Sequence, residues 1–85
     1  MDEKITLNDG TEFAGYVILT GDLFLYLFST DIVTAFNALI RTEGTSSIIY
    51  TQANGDEVTY SGYTKLVAVR DEENNLITAV MRKGV

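Results

Sequence analysis

Two stretches of this sequence follow one pattern, NGDEVTYSGYTKL at residues 54–66 and DGTEFAGYVIL at residues 9–19. Each begins with an Asx-Gly pair and continues with a Glu, an apolar residue, a Gly-Tyr pair and, three positions after the Tyr, a Leu. Asx-Gly supplies the positive φ that tight hairpin turns need. The sequence therefore predicts two similar hairpins, with the Gly-Tyr pairs at positions 15–16 and 62–63 in equivalent places.

Apolar residues on either side of these turns predict two sets of three strands. The strands are expected at residues 5–7, 12–19 and 23–28, and again at residues 47–51, 57–69 and 76–81. The predicted fold is mostly β, with two three-stranded antiparallel meanders forming a small sandwich or partly open barrel. Residues 1–85 make a single domain, with an internal repeat over residues 5–28 and 47–81.

One helix is predicted at residues 31–41, between the two meanders. Its apolar positions recur at helical spacing on one face: Ile32, Ala35, Phe36, Leu39 and Ile40. A hydroxyl residue and Asp31 precede this pattern as capping residues. Arg41 lies near the negative end of the helix dipole, and Gly44 is the expected stop.

The strand at residues 23–28, LFLYLF, is apolar on both faces. Such a strand has to be covered twice, by a second layer of the same chain or by a partner. The sequence leaves both alternatives open, a central core strand and a surface for association. Because small β domains with exposed edges commonly pair, a homo-oligomer is a further prediction.

Two glycines inside strands predict local irregularities. Gly15 indicates a bulge or a close backbone approach. At Gly62 the alternation changes phase, since Val58 and Tyr60 share one face before it. After it, a single face is expected to hold Tyr63, Lys65, Val67 and Val69. A bulge or bend at Gly62 explains this change.

The composition excludes several classes of function. The chain has no Cys and no His, so disulfides, thiolate chemistry, an imidazole base and a Cys/His zinc site cannot be built. Its 12 acidic and 6 basic residues give a net charge of −6, which disfavours nucleic acid and anionic membrane surfaces as partners. No basic, Arg-rich amino terminus precedes an apolar segment, so secretion by a cleaved signal peptide is not expected.

No set of side chains identifies a reaction, so we predict a non-enzymatic protein without catalytic residues, cofactor or metal. The candidate binding residues are Tyr16, Tyr60 and Tyr63, because Tyr combines a large contact area with a hydroxyl group. Packing in the core or across strands is the other interpretation of these side chains. Asp56 and Glu57, in an acidic turn, are the remaining candidates for a protein interface.

A small-molecule binding protein is the alternative, with an aromatic pocket between the two meanders. A deep pocket lined by Tyr and Phe would favour it. A filled core with an exposed apolar or acidic patch would favour a protein interface instead. An enzyme that uses carboxylates alone is the third hypothesis, with Glu12 and Glu57 as its matched pair.

The motifs SSIIY at residues 46–50 and GYT at residues 62–64, together with Leu66 and the closing apolar strand, carry a resemblance. Over about residues 45–81 the chain resembles small uncharacterised proteins encoded by phages and prophages of gut bacteria, some near tail genes. The resemblance implies a phage accessory protein in the cytoplasm of the bacterial host or in the virion. Its partner would be a phage structural protein, as for a virion or tail component, or a host protein that it inhibits. No functional residue carries over from it.

Overall fold

The computed structural model describes residues 2–40 and 45–84. Their elements are β1 Lys4–Thr6, β2 Glu12–Thr20, β3 Asp22–Phe28, α1 Ile32–Ile40, β4 Thr45–Thr51, β5 Glu57–Asp71 and β6 Leu76–Lys83. The strands are antiparallel and form a closed barrel in the order β1-β2-β3-β6-β5-β4. The predicted fold of two meanders with a helix between them is confirmed, as a closed barrel.

The first hairpin of each meander closes with the same backbone hydrogen bond. In the first meander the amide of Leu7 donates to the carbonyl oxygen of Thr11, at 2.9 Å. In the second, the amide of Gln52 donates to the carbonyl oxygen of Asp56, at 2.8 Å. The strands of the two hairpins therefore begin at corresponding positions of the turn.

The Asx-Gly pairs account for this likeness. Gly10 and Gly55 have φ values of 91° and 93°, which glycine adopts at no steric cost. The side chains of Asp9 and Asn54 each accept a hydrogen bond from the amide two positions later, at 2.9 and 3.0 Å. The turn is thus specified by residues within it, and the predicted pair of hairpins is confirmed.

The barrel interior is filled by side chains from every strand. Leu23, Leu25 and Leu27 of β3 are fully buried, and the remaining buried apolar residues of the strands are Ile5, Phe13, Ile48, Tyr63, Ile77, Ala79 and Met81. Burial of one large aliphatic side chain is worth about 1.5–3 kcal/mol, so this core is the main source of stability. Because side chains alternate along a strand, the other residues of β3 point out of the barrel.

Strand β3 has neighbours along both of its edges. It pairs with β2 over residues 22–28 and with β6 over residues 23–28. The expectation that exposed strand edges pair copies of the chain therefore does not apply to β3, whose backbone groups are already bonded. Only the outward-facing side chains of β3 remain available for contact with a partner.

Helix α1 packs its apolar side on the barrel core. Ile32, Ala35 and Leu39 are buried in the same cluster as the strand residues. The carboxylate of Asp31 accepts a hydrogen bond from the amide of Thr34 at 3.3 Å, as an N-cap does. The predicted Arg41 and Gly44 lie outside the described residues. No helix within the described ranges is long and apolar enough to cross a membrane.

Strand β5 contains a bulge at Gly62, as predicted. Tyr60 pairs with Ile48 and Tyr63 with Ser46, so β5 has one residue more than β4 between these pairs. Gly62 has a φ of 81°, the left-handed conformation of a bulge glycine. The extra residue lets Tyr60 and Tyr63 turn to the same side although they are three positions apart.

A second bulge in β5 was not predicted. Lys65 pairs with Met81 and Val67 with Val80, which leaves Leu66 as the extra residue. The bulge reverses the alternation again, so Ala68 packs against the core while Val67 and Val69 face solvent. The expectation that Tyr63 and Lys65 share a face with these two valines is therefore wrong.

Gly15 permits a close approach of two backbones. It lies opposite Leu27, and a Cβ at this position would stand 2.0 Å from the carbonyl oxygen of Tyr26. The register of β2 with β3 is continuous through it, without a bulge. Tyr16 then points outward, whereas Tyr63 points into the core. The predicted equivalence of the two Gly-Tyr pairs is wrong, because one glycine lies in a regular strand and the other in a bulge.

Candidate protein-binding surface

The outward side chains of β2, β3, β6 and β5 form an uncharged surface that is apolar except for the hydroxyl groups of its tyrosines and of Thr78. We call it the outer apolar face. It consists of Ala14, Tyr16 and Ile18 of β2, Phe24, Tyr26 and Phe28 of β3, Leu76, Thr78 and Val80 of β6, and Val67 and Val69 of β5. These residues alternate with the buried residues of the same strands, which is why they share one face.

The strand register arranges the outer apolar face in rows. The middle row runs from Tyr16 through Tyr26 and Thr78 to Val69. A second row, beside it, contains Ile18, Phe24, Val80 and Val67. Cross-strand neighbours of this kind lie about 4.5–5.5 Å apart, so the side chains form a contiguous surface.

Aromatic side chains occupy the β2 and β3 half of the outer apolar face. The rings of Tyr16 and Tyr26 are stacked, with centroids 4.9 Å apart, and the Phe28 ring lies 6.2 Å from that of Tyr16. Leu76, Val67 and Val69, by contrast, are aliphatic residues of the β6 and β5 half. All aromatic residues of the face therefore lie on β2 and β3, together with Ala14 and Ile18, and none lies on β6 or β5.

Several apolar side chains of the outer apolar face, on β2, β3 and β5, are largely exposed. Val69 is 58% exposed, Val67 49%, and both Ile18 and Phe28 42%. Isolated exposed apolar residues are normal on protein surfaces, but contiguous apolar patches mark interaction sites. The outer apolar face is a patch of this second kind.

Charged groups lie at the rim of the outer apolar face rather than within it. At one end Arg82 donates two hydrogen bonds to the carboxylate of Asp22, from Nε and Nη2, each 3.0 Å long. The hydrogen bonds from Arg82 hold the pKa of Asp22 below its usual value, and the same pair raises the pKa of Arg82. At the other end Asp71 pairs with Leu76 and so closes the row that runs through Phe28. Charged residues therefore border the face at both ends.

The structure separates the five residues predicted for the binding surface. Tyr16, 36% exposed, lies on the outer apolar face. Tyr63 is buried and Tyr60 packs against the core, with their rings edge to face and 6.2 Å apart. Asp56 and Glu57 are exposed at the turn into β5. Core packing, the other interpretation of the tyrosines, therefore describes Tyr60 and Tyr63.

The sequence reasoning missed most of the outer apolar face. Phe24 and Tyr26 were part of a recognised two-sided apolar strand, and their alternation with the three leucines was the available signal. Val67 and Val69 were expected on the same face as Tyr63 and Lys65, and that expectation is wrong. No residue pattern around Leu66 marks the bulge that turns these two valines outward. Their orientation is therefore visible only in the pairing of β5 with β6.

A cleft of about 270 Å³ lies between α1 and the start of β2, next to the outer apolar face, whose residues Ala14 and Phe28 are part of its lining. Its lining includes Phe13, Phe28 and Ala35, together with the acidic residues Glu12 and Asp31. None of the tyrosines is among the described residues that line it. The aromatic pocket of the alternative hypothesis is expected between the meanders, where the buried cluster of the described residues lies.

The carboxylates do not form a metal-binding cluster within residues 2–40 and 45–84. Glu12 is instead bonded to Lys4, whose Nζ lies 3.0 Å from its Oε2. Asp71 accepts hydrogen bonds from the side chain and amide of Asn74 and from the amide of Glu73, and these bonds lower its pKa. These carboxylates therefore have structural partners at strand ends and turns.

Comparison with known proteins gives no further assignment. No family model matches the chain, and no curated protein or solved structure matches it either. Function is therefore inferred from the residues of the outer apolar face and their surroundings.

Proposed function

We propose that this chain is a non-enzymatic protein-binding module that works through the outer apolar face. The observation that carries the proposal is a row-by-row array of uncharged outward side chains on four adjacent strands. The apolar side chains are exposed on β2 and β5 and at Phe28, and part-exposed on β6, outside a buried cluster of apolar residues. Cross-strand contacts such as the Tyr16–Tyr26 stack stabilise the sheet, but they leave Ile18, Phe28, Val67 and Val69 largely exposed. Contact with another protein surface would bury them.

The composition of the outer apolar face fits a protein partner. Protein interfaces have a centre poor in charge and rich in Tyr and Phe, surrounded by a polar rim. Here Tyr16 and Tyr26 occupy the central row, and the Asp22–Arg82 pair lies at the rim. Stacked Tyr residues on a rigid sheet offer contact area at low conformational cost, as binding hot spots do.

With the resemblance to phage and prophage proteins, we further propose a phage accessory role, as a virion or tail component or as an inhibitor of a host protein. Both roles require a stable scaffold and one interface. The outer apolar face supplies an interface that uses shape and apolar contact. The acidic turns, including Asp56 and Glu57, remain predicted secondary contacts.

Site-specific photocrosslinking tests the proposal. A photoreactive amino acid replaces Val69, on the outer apolar face, or Thr59, an exposed residue of the same strand outside it. Each chain is irradiated alone and in extract of a bacterial host. We expect protein adducts, with the chain itself or with another protein, from position 69 only.

Competition makes this test specific. An excess of the unlabelled wild-type chain should abolish the adducts, whereas an excess of the Val67→Lys variant should not, because a charge on the face opposes contact. Equal yields of adduct from positions 69 and 59 would overturn the proposal. So would adducts that persist in an excess of the unlabelled wild-type chain.

A further inference from the structure

We infer that the occupant of the outer apolar face is a second copy of this chain, in a symmetric dimer with the two faces in contact. This inference rests on the proposed function and names its partner. It starts from the charges. The chain carries a net charge of −6, yet the rows through Tyr16 and Ile18 contain no charged residue.

A basic partner would gain little from such a surface. Its cations would meet no carboxylate at the centre of the outer apolar face, since the acidic residues of the described chain lie at strand ends and in turns. Burying an unpaired cation against apolar side chains is costly. The face therefore fits an uncharged apolar surface, and this chain has one.

The outer apolar face is also complementary to itself. Its aromatic rings all lie on β2 and β3, and the side chains on β6 and β5 are smaller. A twofold axis parallel to the strands, between β3 and β6, places β2 of one copy over β5 of the other. Tyr16 then meets the partner's Val69, and Ile18 meets the partner's Val67. An axis across the strands would instead place aromatic rings on aromatic rings, with Tyr16 over its own counterpart.

The size of the outer apolar face sets the expected strength of the dimer. Four strands about 4.8 Å apart and five residues at about 3.4 Å each give a footprint of roughly 300 Å² per copy. This is below the roughly 800 Å² per partner of a standard interface. We therefore expect a reversible dimer whose population rises with protein concentration.

Salt should strengthen this dimer. The two acidic copies repel each other at long range, and ions screen that repulsion, while the neutral apolar contact is unaffected. A complex held by opposite charges would respond in the other direction. Light scattering coupled to size exclusion, from micromolar to millimolar protein and at low and high salt, measures this. We expect the average mass to rise toward twice that of the chain.

Two lysine variants locate the interface. Val69→Lys places a charge on the outer apolar face, and Thr59→Lys places the same charge elsewhere on β5. Both positions are exposed, so both variants should fold, which circular dichroism and a melting curve verify. We expect Val69→Lys to remain monomeric at every concentration and Thr59→Lys to dimerise like the wild-type chain.

Single-cysteine variants locate the symmetry axis, because the chain contains no other cysteine. Ile18→Cys and Val67→Cys chains are mixed and treated with a bifunctional thiol reagent that spans about 10 Å, the separation of packed sheets. Links between position 18 and position 67 should exceed both like-to-like links. A Thr59→Cys chain, as control, should form no cross-link, either with itself or with the other two variants.

A wild-type chain that stays monomeric at millimolar concentration would overturn this inference. So would a dimer that Val69→Lys leaves intact, or one in which like-to-like links dominate. Failure here is distinguishable from failure of the proposed function. If the chain proves monomeric, it can still form, from position 69, an adduct with another protein that the wild-type chain competes away. In that case the dimer inference fails and the proposed function stands.

Discussion

In both meanders the first hairpin closes with the same turn, yet the strand that follows has 9 residues in β2 and 15 in β5. β2 runs without a bulge, and Gly15 allows it to approach β3 closely. β5 has a bulge at Gly62 and another at Leu66. The two bulges redirect its side chains twice between barrel interior and solvent.

This difference separates two kinds of structural information. The turns repeat because their hydrogen bonds involve only residues inside the turn. The Gly-Tyr pairs diverge because the side of the sheet on which a residue lies depends on the bulges before it. One dipeptide therefore supplies a surface tyrosine at position 16 and a core tyrosine at position 63. Two experiments test this comparison, and a third examines the seam between β1 and β4, where the two meanders meet.

The two tyrosines should differ most. We expect Tyr63→Ala to lower the free energy of unfolding by about 3–4 kcal/mol, as for other large aromatic residues removed from a core. Tyr16→Ala should cost about 1 kcal/mol or less, because the side chain is already part-exposed. Urea unfolding of both variants measures this. Equal losses would contradict the opposite orientations of the two residues.

The two glycines should differ less. Gly15→Ala brings a Cβ within 2.0 Å of a carbonyl oxygen, so a strand must shift, and we expect a loss of about 2–3 kcal/mol. At Gly62 the nearest atom to a new Cβ is Lys83 Cε at 3.9 Å, so Gly62→Ala meets no steric obstacle. Its only cost is an alanine in the left-handed conformation, which should lower the free energy of unfolding by about 1 kcal/mol.

Denaturant unfolding distinguishes these two causes. Gly62→Asn should be milder than Gly62→Ala, because Asn tolerates a left-handed backbone, whereas no side chain fits at Gly15. If Gly62→Ala were the more harmful of the two alanine variants, the close approach at Gly15 would not be the tighter constraint.

The smallest effect concerns Ile5 and Tyr50, which pair across the seam between β1 and β4. Ile5 is fully buried, whereas the Tyr50 hydroxyl donates a hydrogen bond to Glu3. That bond to a carboxylate, with some burial, raises the pKa of Tyr50 from 10.0 to about 12. The phenol must stay protonated to donate, so its stabilising contribution is complete below pH 10 and is lost as the pH rises toward 12.

The pH dependence of urea unfolding measures this contribution. Across that alkaline range the wild-type chain should lose more stability than Tyr50→Phe, which has no phenolic proton. Glu3→Gln should also reduce the loss, because it removes the negative charge that disfavours the phenolate. A Tyr50→Phe chain with the same alkaline slope as the wild type would contradict this assignment.

The sequence by itself determined the local elements of this protein. Asx-Gly pairs specify the two hairpin turns, and the spacing of Ile32, Ala35 and Leu39 specifies the apolar side of α1. Its composition also settled the absence of thiol and imidazole chemistry, since neither Cys nor His occurs. These conclusions depend on neighbouring residues or on composition, so no tertiary contact was needed to reach them.

Only the tertiary structure decided which apolar residues form the surface. Tyr16 was predicted for an interface and lies on the outer apolar face, but Tyr63, with the same local sequence, lies in the core. Val67 and Val69 face outward because of the bulge at Leu66, which is visible in the pairing of β5 with β6. Bulges and barrel closure are set by contacts between strands distant in sequence, which a local pattern does not encode.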